Sequence, residues 1–151
     1  MNKLEELYLA NNLITSFNGW EGGLPALKRL HLRRNKIKAF EEELSELPEL
    51  EYLNLRHNEL ETLEVAFKVF QFPKINDLSV LNNPCDTNCS SFNLLLAEFL
   101  MKRTSLVRFN KFRVTDSNRL EAVHLANFRF DKSEIKRKEE EAAEAAKNAD
   151  E

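Results

Sequence analysis

The chain has 151 residues, 42% of them hydrophobic, which is enough for one domain with a core and rules out a wholly disordered polymer. Its formal charge of −3 gives no ground for binding nucleic acid through bulk charge. Three glycines and four prolines argue against glycine-rich phosphate loops and against a sandwich of many tight turns.

Taken in chain order, the first element repeats. The pattern L-x-x-L-x-L-x-x-N reads Leu4-Leu7-Leu9-Asn12, Leu27-Leu30-Leu32-Asn35 and Leu50-Leu53-Leu55-Asn58, with a weaker copy Ile75-Leu78-Val80-Asn83. The starts lie 23, 23 and 25 residues apart. Ile14, Ile37 and Leu60 follow each Asn by two residues, and Phe17, Phe40 and Leu63 by five. Pro25, Pro48 and Pro73 each stand two residues before the next repeat opens. A 4, 7, 9 spacing is not the stripe of an amphipathic helix.

This pattern resembles the leucine-rich repeat. The fold expected is α/β: a solenoid of about four repeats with a short parallel sheet on its concave face, a C-terminal helical cap and a tail helix. Each L-x-L segment is then a strand with its leucines turned into the solenoid. Each Asn bonds backbone groups where the chain leaves the strand. One repeat cannot bury its own apolar face, whereas stacked neighbours can. The division expected is residues 1–84 for the repeats, 85–130 for the cap and 131–151 for a charged helical tail.

After Asn83-Pro84, residues 91–100 read as a helix with Ser90 or Ser91 as N-cap. Leu106 to Phe109 is expected as a last strand against the fourth repeat, followed by a helix capped by Asp116 or Ser117 and running through Asn118 to Ala126. Seven phenylalanines, Phe67, Phe70, Phe72, Phe92, Phe99, Phe109 and Phe112, read as core plugs of this end. The other end has no cap: Leu4, Leu7, Leu9, Ile14 and Phe17 leave a flank open, expected to be covered by further repeats, a second copy or a partner. Lys132 to Lys147 reads as a solvated helix, basic then acidic, or as a strut ordered along a partner.

Between the leucines, the outward strand residues form columns on the concave face. Glu6, Arg29, Tyr52 and Asp77 make one, and Tyr8, His31, Asn54 and Ser79 the next. Ala10, Arg33, Arg56 and Leu81 follow, then Asn11, Arg34, His57 and Asn82. The partner-binding residues expected are Arg29, His31, Arg33, Arg34, Tyr52, Arg56 and His57. Arginine and tyrosine are frequent interface anchors, and this set suits an acidic or amphipathic segment of another protein. An RNA partner is the minority alternative.

No G-x-S-x-G, H-E-x-x-H or Walker motif occurs, and the histidines His31, His57 and His124 have no nucleophile arranged beside them. Neither an enzyme nor a cofactor is expected. Cys85 and Cys89 lack the second pair that a zinc site needs and read as reduced, partly buried thiols. No apolar run follows Met1, so neither a signal peptide nor a membrane span is expected, and the compartment expected is cytoplasmic.

The short repeats resemble those of the class that includes the dynein light chain and the phosphatase regulator. Residues 50–58, then Phe72-Pro73-Lys74-Ile75, then Leu78-Ser79-Val80-Leu81-Asn82-Asn83-Pro84-Cys85, are similar to the end of the leucine-rich repeat subunit of ciliary radial spokes. In that family too the cap precedes a Glu-rich helix, matched here by Lys136 to Glu144. The resemblance implies a structural subunit joining components of the radial spoke or another axonemal complex in motile cilia. The alternatives are a regulatory adaptor of a cytosolic enzyme such as a phosphatase, or a component of an RNA–protein particle.

Overall fold

A computed structural model describes residues 3–16, 23–40 and 47–149, with side chains through residue 144. Phe17 lies outside the described residues. Each repeat contributes one three-residue strand: β1 (Glu6–Tyr8), β2 (Arg29–His31), β3 (Tyr52–Asn54) and β4 (Asp77–Ser79). They pair in parallel and in sequence order, with Leu7, Leu30, Leu53 and Leu78 in register. The expected four-repeat parallel sheet is therefore present.

The alternation explains which residues go inside. Leu30, Leu53 and Leu78 are fully buried, as are Leu27, Leu50, Leu55, Ile37 and Leu60 around them. Each such side chain contributes roughly 1.5–3 kcal/mol on burial. The asparagines fix the turn. Asn35 Nδ2 donates to the Leu9 and Leu32 carbonyls, and Asn58 Nδ2 to those of Leu32 and Leu55. Asn83 Nδ2 donates to the Leu55 and Val80 carbonyls. Their Oδ1 atoms accept from the amides of Ile14, Ile37 and Leu60, one repeat back. Every rung satisfies buried backbone groups of two repeats at once.

Among the described residues of the first three repeats, helix is found on the return path of the third: α1 (Leu63–Phe67), capped by Thr62, followed by a 3-10 turn at Lys68–Gln71. A short α2 (Pro84–Thr87) leads to α3 (Phe92–Lys102), whose N-cap is Ser91. The strand expected near residues 106–109 is β5 (Arg108–Phe109), parallel to β4, and β6 (Phe112–Arg113) folds back on it antiparallel. Phe72, Phe99 and Phe109 fill the capped end, with Phe67 and Phe70 packed edge-on against Phe99. Phe112 does not plug the core: it is 62% exposed on the edge hairpin, with Phe92 beside it at the surface.

The cap helix and the tail are a single helix, α4 (Asp116–Ala149), rather than one ending at Ala126. Its cap is Thr115, one residue earlier than expected: the Thr115 hydroxyl accepts from the Asn118 amide, and Asn118 Oδ1 accepts from the Thr115 amide. No helix breaker separates the two stretches, so propensity carries the helix across residues 127–131. Its first turns pack on α3, and the Arg129–Glu98 ion pair fastens it there. Phe128, Phe130 and Ile135 are exposed along it.

At the opposite end the first repeat is open as expected. Leu4, Leu7, Leu9 and Ile14 are only half-buried, and Leu13 is 75% exposed. Among the described residues no helix is long and apolar enough to cross a membrane.

Candidate functional site

The parallel register turns the four expected columns into two rows of different character. The inner row lies on the strands. Glu6, Arg29, Tyr52, Asp77 and Arg108 are neighbours across the sheet. The Arg29 Nε lies 3.7 Å from a Glu6 carboxylate oxygen, and its guanidinium stacks over the Tyr52 ring at 4.2 Å. Arg108 Nε lies 3.5 Å from Asp77 Oδ2. Burial holds the Asp77 carboxyl above its ordinary range, against the pull of Arg108 and Arg29. Cation and anion therefore alternate along this row, and its charges are matched within the fold.

Rings stack beside them. Tyr8 lies flat on His31 with centroids 4.2 Å apart, and His31 meets Tyr52 at 4.8 Å, tilted by 40°. The Tyr8 hydroxyl donates to Glu6 at 2.7 Å, which pushes the phenol pKa up. Burial and the nearby Arg29 charge push His31 below the ordinary histidine range, and its Nε2 is shielded without a hydrogen-bond partner. Two other members of this column are not free surface: Asn54 and Ser79 are buried, Asn54 bonding the Tyr52 hydroxyl and the Arg56 amide. Sequence alternation places these residues on the concave side, but it does not say how closely their neighbours cover them.

The outer row lies where the chain leaves the strands. It holds Arg33, Arg34, Arg56 and His57, all expected from sequence. The Arg34 amide donates to the Arg56 carbonyl at 2.9 Å, so the second and third repeats meet here. Burial and the charges of Arg33, Arg34 and Arg56 together push the His57 pKa down, which places the four groups in one electrostatic neighbourhood. Among the described residues none of the three arginines has an acidic partner, and Arg56 Nε is shielded with no hydrogen-bond partner. His57 touches Asn82, whose Nδ2 lies 3.1 Å from His57 Nε2.

The other expected groups are quieter. Cys85 and Cys89 are free thiols; burial pushes Cys85 up to about 11 and also raises Cys89, so neither is an activated nucleophile at neutral pH. Among the described residues no group of three His, Cys, Asp or Glu side chains is placed to share a metal ion. A cleft between α3 and α4 is lined mainly by Leu100, Met101, Ala122, Val123 and Ala126. Its one charged group, Arg119, is taken up by the Thr104 and Leu106 carbonyls.

Residues 2–60 match a family model described as leucine rich repeat. A chain in the crystal structure of the Drosophila melanogaster SNF/U2A' complex is similar in fold, with a TM-score of 0.72 and 24% identity. The match covers 82% of this chain and 68% of that one. No curated protein matches in sequence.

Proposed function

Since the chain is a leucine-rich repeat protein, we propose that it is a protein-binding structural subunit whose outer concave row grips an acidic or amphipathic segment of a neighbour. The observation that carries this reading is the contrast in pairing: Arg33, Arg34 and Arg56 stand without acids among the described residues, while Arg29 and Arg108 on the same sheet have theirs. Stacked strands hold these side chains on a rigid frame, so little ordering opposes binding. Planar guanidinium groups suit bidentate contact with carboxylates. The similar fold in the SNF/U2A' complex belongs to a protein assembled with another, which supports a partner-binding role.

The finer reading is a subunit that joins components of the radial spoke or another axonemal complex in motile cilia. Its support is the sequence resemblance at residues 50–58 and 72–85 and the Glu-rich helix after the cap, here the exposed half of α4. A second reading, a component of an RNA–protein particle, draws on the stacked Tyr8, His31 and Tyr52 rings with Arg29 beside them, since aromatic platforms hold unpaired bases.

Capture by the immobilised chain from axonemal and from cytosolic extract tests these readings. The expected result is an axonemal protein retained by the wild type and lost with Arg33→Glu plus Arg56→Glu. Capture from cytosolic extract alone would instead point to an adaptor of a soluble enzyme. Salt-sensitive retention of RNA would favour the ribonucleoprotein reading.

A further inference from the structure

Two members of the outer row adopt a left-handed backbone conformation, which strains the arginine. Arg34 and His57 have φ of 57° and 55°, in the left-handed region. The equivalent positions in the first and fourth repeats are Asn11 and Asn82, with φ of 61° and 60°. Asn tolerates this region because its short side chain bonds locally, and His also enters it more readily than most residues, whereas a long side chain such as that of Arg34 is strained there. The two middle repeats thus place an arginine and a histidine where the flanking repeats hold asparagine. The other long side chain held this way is Lys111 in the cap hairpin; at Arg34 the strain coincides with a group of arginines that lack acidic partners among the described residues, which points to a role for that side chain.

The same corner concentrates positive charge. The register sets Arg33 and Arg34 beside Arg56 and His57, with the Arg34 amide donating to the Arg56 carbonyl at 2.9 Å, and burial, followed by the three arginine charges, disfavours protonation of His57. They have no acid among the described residues, and the shielded Arg56 Nε has no acceptor. A lone carboxylate brings one charge to such a cluster. A phosphate monoester brings about −1.5 to −2 and three acceptor oxygens, and pairs with arginine through two parallel bonds.

We propose that Arg33, Arg34, Arg56 and His57 form a phosphate-recognition corner, and that its occupant is a phosphorylated serine or threonine in the protein segment docked on the concave face. This rests on the concave-face reading above. A phosphorylated peptide fits better than a nucleic-acid backbone because the unmatched charge is confined to this corner and the row beside it is charge-matched. Glu6 and Asp77 line the neighbouring row, and Asp86 accepts from the Asn82 amide at 2.7 Å. A continuous polyanion running past the corner would meet no further run of unmatched cations on that row, only Glu6 and Asp77 already paired with Arg29 and Arg108.

The test is an NMR titration of the intact chain with three probes at matched ionic strength: a Gly-phosphoSer-Gly peptide, a Gly-Glu-Gly peptide and oligouridylate. Saturable shifts at the four residues with the phosphopeptide are expected, with affinity about tenfold above that of the Glu peptide, a difference of one charge-assisted contact. Arg33→Gln should weaken the phosphopeptide severalfold. Arg34→Asn and His57→Asn separate grip from fold: the first should raise Tm by a few degrees by relieving strain, the second should leave Tm within about 2 °C, and both should lower phosphopeptide affinity. Equal affinity for the Glu peptide, tighter binding of oligouridylate, or Asn variants that bind unchanged would each overturn the proposal. Were the phosphopeptide to fail while Arg33→Glu plus Arg56→Glu still abolished partner capture, the phosphate corner would be refuted and the concave-face function would stand.

Discussion

The two rows of the concave face are separated by only a few residues in each repeat, yet they differ in what they leave unfinished. In the inner row Arg29 answers Glu6 and leans on Tyr52, and Arg108 answers Asp77. In the outer row Arg33, Arg34 and Arg56 answer no acid among the described residues, and their charges add to burial in depressing the His57 pKa. Matched charges on a surface contribute little to stability and leave little for a partner. Unmatched arginines on a rigid edge repel one another until something anionic arrives. The density of arginine on a face is therefore a poorer guide to binding than the fraction of it that lacks an internal partner.

The largest expected effect concerns the frame that holds both rows. Leu30 is fully buried between the strands, so Leu30→Ala should cost about 2–5 kcal/mol in a denaturation experiment. The corresponding change at half-buried Leu7 should cost clearly less. Equal costs would mean that the first repeat is as well packed as the second. Next comes the outer row: Arg33→Glu with Arg56→Glu should lower affinity for a captured partner about a hundredfold or more, the order expected for reversing charges at a docked anion. Tm should stay within a few degrees, because Arg33 is exposed and the half-buried Arg56 has no acidic partner to lose among the described residues.

The inner row should respond weakly. Glu6→Gln with Asp77→Asn removes the acids beside Arg29 and Arg108, and thermal unfolding should register a loss of about 1 kcal/mol or less. If the freed Arg29 and Arg108 then strengthened capture of an acidic peptide, the contrast between rows would be sharpened; if this pair weakened capture as much as the outer-row reversal, the contrast would fail. The smallest effect is on pH dependence. His31 is held below the ordinary histidine value, mainly by burial and then by Arg29. The unfolded chain therefore binds more protons there than the folded one, and the His31 contribution is complete above about pH 6.5 and declines as pH falls below it. Tm measured from pH 7.5 to 5.5 should fall less in His31→Gln than in the wild type.

Much of this was legible before any coordinates. The L-x-x-L-x-L-x-x-N spacing specifies strand, inward leucine and ladder asparagine together, and the period of two assigns Arg29, His31, Arg33 and Arg56 to one side. The pairing of Arg29 with Glu6 and of Arg108 with Asp77 was not drawn from it, because those partners lie in different repeats and meet only through register. Nor did composition reveal that Arg34 and His57 sit in the left-handed region; the hint was Asn11 and Asn82 at the same place in the flanking repeats. The single long α4 was read as two helices because the charged stretch looked distinct from the cap. Composition changed there, but nothing in residues 127–131 breaks a helix.

The most direct measurement is site-specific photocrosslinking of the intact chain in its native assembly. A photoreactive residue replaces Ala10, beside Arg33 in the outer row, and in a separate chain Gln71, exposed in the 3-10 turn of the return path. A partner protein crosslinked from position 10 and not from position 71 is the expected result. A partner crosslinked from position 71 alone would place the grip on the return side and contradict the assignment of the concave row.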